Sequence, residues 1–333
     1  MDLQQKTKRF GMYVILCACI LRLSTAGTPA AVARWLTDVN NVPFPTYLET
    51  GRNVRFSASL EKITDHFRES PGPELPEENF VSFSAEEVSL AEMDYDCALR
   101  PDLEALLEEP LNWNLRAEDP TVLILHTHTT ESYTKKGEVY VETSHYRTLD
   151  EAHNMLSIGD AVAEILTREG IGVIHDRELH DYPSYNGSYV HARNSTESIL
   201  EQYPTIRLIL DLHRDASESK GKQLRTQATV DGKSSAQLMF VVGTNVSRQS
   251  HEDWEKNLAL ALKLHVLLER QAPGIMRPVN LRSQRFNQDL SPGALLVEVG
   301  AAGNTHGEAL TAAQALAKAV VSLAQGAGGK EIQ

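Results

Sequence analysis

The hydrophobic pattern from residue 120 to 326 alternates short apolar runs with longer stretches in which apolar residues recur every three or four positions. Leucine-rich or β-branched runs at 121–125, 172–174, 207–212 and 294–299 are typical of buried strands. The periodic stretches at 151–168, 189–202 and 252–270, and the one after the capping box Thr305-x-x-Glu308, predict helices. Asp231-Gly232 predicts a hairpin between 224–230 and 237–242. We therefore expect an α/β fold with a mostly parallel sheet and helices on both faces.

The negative charge of the chain is concentrated in one segment before residue 120. Of the net charge of −13, residues 71–120 carry −12, because this segment contains 14 acidic residues and two arginines. Such a segment is typical of a solvated spacer. No basic face is left to neutralise phosphates, which argues against a nucleic-acid partner. We expect a membrane-proximal region and acidic linker at 27–119 and a catalytic domain at 120–326.

The first 26 residues have the pattern of an export signal or a membrane anchor. Lys6, Lys8 and Arg9 precede an apolar run at 10–21, and Ser24-Thr-Ala26 resembles a cleavage site. Whether the segment is cleaved or kept as an anchor stays open, and Leu16-Cys-Ala-Cys19 offers lipid attachment as a third possibility. We expect the rest of the chain to lie outside the cell membrane.

Three of the predicted strands end in side chains that bind metals. His128-x-x-Glu131 follows the first, His213 closes the second, and Glu298 interrupts the third. Because ligands gather at the carboxyl ends of strands in open α/β sheets, we expect these groups to lie close together. His128, Glu131 and His213 would leave a fourth zinc position for water, and Glu298 could act as its base. Beyond the signal Cys97 is alone, so a thiolate zinc site is excluded.

Alternatives to these roles remain. His126 competes with His128 as a ligand, or packs as a histidine bonded to the backbone. Glu298, an acidic residue inside an apolar run, could instead be neutralised by an arginine at 277, 282 or 285. Arg214, or else Asn287, could stabilise an oxyanion or hold a substrate carboxylate.

Five motifs in order resemble a known family: His126-Thr-His-Thr-Thr-Glu-Ser-Tyr133, His180-Asp-Tyr-Pro-Ser-Tyr-Asn-Gly-Ser-Tyr189, Asp211-Leu-His-Arg-Asp-Ala216, Asn287-Gln-Asp-Leu-Ser-Pro292 and Leu296-Val-Glu-Val-Gly300. Together they resemble stage II sporulation protein P over residues 121–324. The resemblance implies a fold similar to that of the zinc amidases of cell-wall lysis and, more remotely, of zinc carboxypeptidases. It implies Zn²⁺ on His128, Glu131 and His213, with Glu298 as the base.

The same resemblance implies a membrane-attached peptidoglycan hydrolase of sporulation engulfment. It would cleave the amide between N-acetylmuramic acid and the L-alanine of the stem peptide, beside a lytic transglycosylase partner and a membrane-embedded partner. Two alternatives stay open: a zinc endopeptidase acting on stem-peptide cross-links, and a catalytically silent wall-binding module. The binding module would not need a buried Glu298.

Overall fold

The computed structural model describes residues 83, 85–109, 111, 113–134, 146–219, 222–247 and 250–326. They belong to the second of two compact units, Pro76–Gln333. The predicted export signal and the region up to residue 82 lie outside the described residues. Among the helices that are described, none is long and apolar enough to cross a membrane.

The elements follow the predicted alternation. The helices are α1 (Ala85–Val88), α2 (Leu103–Glu108), α3 (Met155–Arg168), α4 (Ser188–Gln202), α5 (Trp254–Gln271) and α6 (His306–Ala324). The strands are β1 (Met93–Tyr95), β2 (Val122–Leu125), β3 (Val173–His175), β4 (Leu208–Asp215), β5 (Glu218–Ser219), β6 (Lys222–Gln223), β7 (Ala228–Val230), β8 (Lys233–Ser235), β9 (Leu238–Gly243), β10 (Val279–Arg282) and β11 (Ala294–Ala301).

Seven strands form one sheet in the order β1-β10-β9-β11-β4-β2-β3. Neighbouring strands are parallel throughout, except that β9 and β11 are antiparallel. The sheet thus has two parallel blocks of opposite direction, and the predicted mostly parallel α/β sheet is confirmed. The carboxyl ends of β11, β4, β2 and β3 meet at one edge.

Helices cover both faces of the sheet, as predicted. Val122 and Ile124 of β2 point to the face covered by α3, α5 and α6, where the main core lies. Leu123 and Leu125 point to the opposite face, where they pack with Ala192 of α4. Apart from α4, none of the described helices covers the second face at the carboxyl ends of the strands, and this part of the sheet is called the open face below.

Local signals fix several boundaries. The first long helix begins at Met155 rather than at residue 151, because the Asn154 side chain caps it by accepting from the Leu156 N–H. Both hydrogen bonds of the capping box Thr305–Glu308 start α6. The Asp231-Gly232 turn closes the short hairpin β7–β8, whereas β9 leaves that hairpin for the main sheet.

Part of the predicted acidic linker is folded. β1 pairs with β10 as an edge strand, and Leu107 and Leu115 are buried in the main core. The ammonium group of the fully buried Lys263 on α5 donates to the carbonyls of Leu106 and Leu107, at 2.9 and 2.5 Å. Although its net charge is that of a spacer, the segment therefore packs against the domain through the apolar side chains between its acidic residues.

Candidate active site at the edge of the sheet

The sheet register brings the predicted site residues together. Glu298 of β11 lies beside His213 of β4 in the parallel ladder. Along β4, Leu208, Leu210 and Leu212 face the main core, so Asp211 and His213 face the open side. His128 and Glu131 follow β2, the other neighbour of β4.

The two histidines and Glu131 are in contact. The rings of His128 and His213 meet edge to face with centroids 5.2 Å apart, and His213 Nδ1 lies 3.7 Å from Glu131 Oε2. His128 Nδ1 is buried and accepts or donates no hydrogen bond within the described residues. Burial lowers the pKa of His128 to about 4, against the opposing charge of Glu131.

Asp211 holds His213 from the other side of the ring. His213 Nε2 lies 3.0 Å from Asp211 Oδ1, at an angle outside hydrogen-bond geometry. The Thr127 backbone N–H and hydroxyl fix the two Asp211 oxygens, at 2.8 and 2.7 Å. Burial alone would lower the pKa of His213, but Asp211, then Glu131 and Glu298, outweigh it and raise that pKa to about 9.

Glu131 is held by two arginines. Arg214 Nη1 lies 3.5 Å and Arg147 Nη2 3.4 Å from Glu131 Oε1, and the Arg214 backbone N–H donates to Oε2 at 3.2 Å. Burial would raise the pKa of Glu131, but Arg214 and His213 lower it overall. Glu131 is therefore a carboxylate in this environment.

Arg214 does not open into the cleft. It is 4% exposed, and its remaining guanidinium nitrogens donate to the carbonyls of Ser132 and Tyr146. Strand alternation is the physical reason, since residue 214 points to the face opposite His213. Asn287 also has an internal role, because its side-chain amide donates to the Tyr189 carbonyl at 2.7 Å. Both side chains thus have internal partners, and their predicted contacts with substrate stay predictions.

Glu298 completes the group of site residues, beside His213. It keeps partial access to solvent, although its Oε2 atom is buried and has no hydrogen-bond partner among the described residues. None of the three candidate arginines pairs with it, since Arg277, Arg282 and Arg285 contact Asp215, Asp96 and Asp289. Burial raises the pKa of Glu298 to about 8; His213 opposes this rise, and Glu131 and Asp215 add to it.

His126 lies on the other face of the sheet. Its Nδ1 lies 3.1 Å from the Leu212 carbonyl and its Nε2 2.9 Å from His175 Nε2. The histidine pair occupies the space left by Gly159 of α3, where an added Cβ would approach His175 Nε2 to 2.4 Å. Of the two competing histidines, the structure brings only His128 to Glu131 and His213.

A tyrosine loop borders the site, and its aromatic and polar sequence at 181–189 is of a composition suited to holding sugar or peptide. Tyr185 stacks on His128 with ring centroids 4.6 Å apart, and its hydroxyl lies 3.2 Å from His128 Nε2. Tyr189 meets His128 edge-on. Tyr182 and Tyr185 are more than half exposed. The signal for this loop in the sequence is the cluster of tyrosines at 182, 185 and 189 after β3.

These residues fit a zinc ion in donor type. Two imidazoles and one carboxylate, with a fourth position left open, form a common hydrolytic ligand set, and the unbonded His128 Nδ1 is a buried lone-pair donor. As they stand, no three histidine, cysteine or acidic side chains of the described ranges are arranged to hold a metal ion. For zinc to bind here, the Glu131 carboxylate would have to replace one of its contacts with Arg147 or Arg214 by a bond to the metal.

Several solved structures have a related but distant chain trace. They include the CwlD amidase from Clostridioides difficile in complex with the GerS lipoprotein, at 14% identity and a TM-score of 0.38 over 61% of this chain and 98% of that one. Another is the N-acetylmuramoyl-L-alanine amidase AmiC2 of Nostoc punctiforme, at 15% identity and a TM-score of 0.35 over 61% and 96%. TM-scores this low carry no argument about activity.

The sequence comparisons are closer. Stage II sporulation protein P of Bacillus subtilis (strain 168) is 32% identical over 209 residues, which cover 59% of this chain and 49% of that protein. The chain thus spans about half the length of this curated relative. The family description "Stage II sporulation protein P (SpoIIP)" matches residues 51–321, which is most of the chain. The chain therefore belongs to the stage II sporulation protein P family.

Proposed function

We propose that this chain is a peptidoglycan amidase that hydrolyses the bond between N-acetylmuramic acid and the L-alanine of the stem peptide. One observation carries the proposal: Glu298 lies beside His213 at the open edge of the sheet, next to His128 and Glu131. A raised carboxyl pKa close to a buried imidazole nitrogen without a hydrogen-bond partner among the described residues is typical of a functional site.

His128, Glu131 and His213 would hold zinc. When bound, such an ion polarises the scissile carbonyl and lowers the pKa of its water toward about 7. Asp211 fixes the His213 ring through Nε2, which leaves Nδ1 directed at Glu131. The Tyr185 hydroxyl does the same for His128 through its Nε2 and leaves Nδ1 free to bind.

Glu298 is the proton carrier of the proposed reaction. A pKa of about 8 lies close to neutral pH, which suits a group that both accepts and returns a proton. Glu298 would take a proton from the attacking water and deliver it to the leaving amine of L-alanine. The buried carboxylates Glu131 and Asp211 keep their negative charge and have other partners, so they are poorly suited to that exchange.

The cellular setting follows from the family resemblance and the N-terminal pattern. We propose that the chain is exported and acts at the outer face of the membrane during engulfment, with a lytic transglycosylase and a membrane-embedded protein as partners. In protoplasts that express the full chain, added protease should digest the residues beyond 120. Protection of those residues would contradict export.

The experiment that tests the activity is a digest of purified sacculi by the full chain with zinc. Mass spectrometry should find free stem peptides that begin with L-alanine, together with glycan that has lost its peptides. Split cross-links with stems still attached to muramic acid would instead indicate the endopeptidase. Release of neither product under conditions in which the chain binds sacculi would support a silent wall-binding module.

A further inference from the structure

Arg277 lies at the same edge of the sheet as the site but takes no part in the proposed reaction. Its backbone N–H donates to the carbonyl of Leu238, at the start of β9. The backbone of Arg277 therefore lies on the side of β9 that faces away from β11. Its side chain nevertheless reaches Asp215, at the end of β4, with Nη1 2.7 Å from Oδ2. Since β11 lies between β9 and β4, the guanidinium crosses the carboxyl end of β11.

That crossing puts the guanidinium on the open face. Asp215 follows His213 by two residues on β4, so its side chain points to the same face as His213 and Asp211. Asp215 is also close enough to Glu298 to add to the rise in its pKa. A row of charged groups thus runs from Glu131 through His213 and Glu298 to Arg277.

The guanidinium of Arg277 has hydrogen-bond donors that are not used by its contact with Asp215. Its bond to Asp215 uses Nη1, and within the described residues its Nε and Nη2 have no hydrogen-bond partner. The side chain is half-buried, with 23% of its surface exposed, so it is fixed in place and still open to solvent. A guanidinium held this way presents a ready-made fork for a carboxylate.

Arg214 and Arg147, the other cations described beside Glu131, already have partners. Arg214 is buried among backbone carbonyls and Glu131. Arg147 contacts Asp181 and Glu131 and lies over the Tyr185 ring. Along the sheet edge, the aromatic loop therefore borders the β3 side and Arg277 borders the β9 side.

We propose that Arg277 binds a free carboxylate of the stem peptide and so sets the direction of the substrate across the cleft. This inference rests on the proposed amidase function. The stem peptide carries free carboxylates beyond its first alanine, whereas the glycan supplies hydroxyl groups and apolar ring faces. The peptide would extend toward β9 and Arg277, and the glycan toward the exposed Tyr182 and Tyr185.

The test compares two short glycan strands that differ at one group. One carries L-Ala-D-Glu stems with a free α-carboxylate, and the other carries L-Ala-D-isoglutamine stems with an amide at that position. For the full chain with zinc, Arg277→Gln should raise KM for the carboxylate substrate roughly 10- to 100-fold and leave kcat nearly unchanged. KM for the amide substrate should change less than about threefold. Arg277→Lys should recover part of the loss.

Arg282→Gln is the matched control, because Arg282 pairs with the exposed Asp96 away from the cleft. If Arg277→Gln raises KM equally for both substrates, the proposal is overturned, since Arg277 would then only neutralise Asp215. A selective rise in KM for the carboxylate substrate in Arg147→Gln, with no such rise in Arg277→Gln, would overturn it as well. If the wild type cleaves neither substrate, the amidase function itself fails, which is a separate and recognisable result.

Discussion

At the scale of single residues, Asp211 decides how His213 can bind. The carboxylate is anchored by two bonds from Thr127 and contacts the Nε2 side of the His213 ring. A carboxylate behind a ligating histidine fixes the ring and raises its basicity. Asp211 is thus a positioning residue for the proposed metal site.

The first prediction follows from this contact. Asp211→Asn removes the charge that holds His213 while an oxygen remains to accept from Thr127, so zinc affinity should fall roughly 10- to 100-fold. Competition with a chelator measures the affinity. Asp176→Asn is the control, because Asp176 is also a buried carboxylate beside the Nε2 atom of a buried histidine, His180, which is not a proposed ligand. Unchanged zinc affinity in Asp211→Asn would remove Asp211 from this role.

Some of these contacts follow from the sequence and others do not. Polar residues at the ends of apolar runs were enough to predict that His128, His213 and Glu298 converge, because parallel strand ends share an edge. The alternation of side chains along a strand also predicts that Arg214 points away from His213. The positive charge of Arg214 had favoured a substrate contact instead. The contact of Tyr185 with His128 depends on the path of a long loop, which no local pattern encodes.

At the scale of elements, a bulge in β11 directly follows Glu298. The register between β11 and β4 shifts between Glu298 and Ala301, and Gly300 has a φ of 73°. A Cβ at Gly300 would lie 2.6 Å from the Ala236 Cβ and 3.0 Å from Asn304 Oδ1. The bulge therefore needs glycine for both conformation and space.

Gly300→Ala should lower the free energy of unfolding by roughly 2–4 kcal/mol, because left-handed strain and steric overlap act together. Gly274→Ala provides the control, since Gly274 has a φ of 83° and nothing within 4 Å of an added Cβ. That variant should lose only about 1 kcal/mol. Urea unfolding measures both, and equal losses in the two variants would contradict the steric argument.

The start of α6 gives a pH-dependent prediction. Glu308 accepts from Thr305, Asn304 and Ser234 and pairs with Arg225. Burial alone would raise the pKa of Glu308, but Arg225, then Thr305 and Asn304, lower it to about 2. The folded pKa lies below the unfolded value of about 4.3, so this stabilisation is present above pH 4.3 and is lost as the pH falls toward 2.

Glu308→Gln should therefore cost about 1–2 kcal/mol of unfolding free energy at pH 6. The difference from wild type should shrink between pH 4.3 and 2, as judged by urea unfolding at several pH values. A difference that stays constant across this range would mean that the ionised carboxylate is not what stabilises α6.

At the scale of the whole molecule, the acidic segment completes the fold. The net charge of 71–120 could not reveal this, because it masks the apolar side chains between the acidic ones, many of which pack against the main core. β1 and α2 are short, and they are held by long-range contacts with β10 and α5. Only the tertiary structure shows that Leu106, Leu107 and Leu115 are buried.

A fragment covering 76–326 should consequently be more stable than one covering 120–326. The shorter fragment loses three buried leucines and leaves the Lys263 ammonium without its two carbonyl acceptors. We expect a loss of about 5 kcal/mol or more. Urea unfolding of the two fragments measures the difference, and equal stabilities would show that the segment before 120 is a detachable spacer.

In the proposed mechanism Glu131 is a zinc ligand and Glu298 is the proton carrier. The decisive comparison is therefore between Glu298→Gln and Glu131→Gln in the sacculus digest. Zinc content and the release of L-alanine-terminated stem peptides are measured on the same samples. We predict that Glu298→Gln keeps zinc and fold but loses about 10²–10⁴-fold in turnover, whereas Glu131→Gln loses activity together with zinc. If Glu298→Gln loses zinc, Glu298 is a ligand and the two roles are reversed. If it digests sacculi at the wild-type rate with zinc bound, the proposed mechanism is wrong.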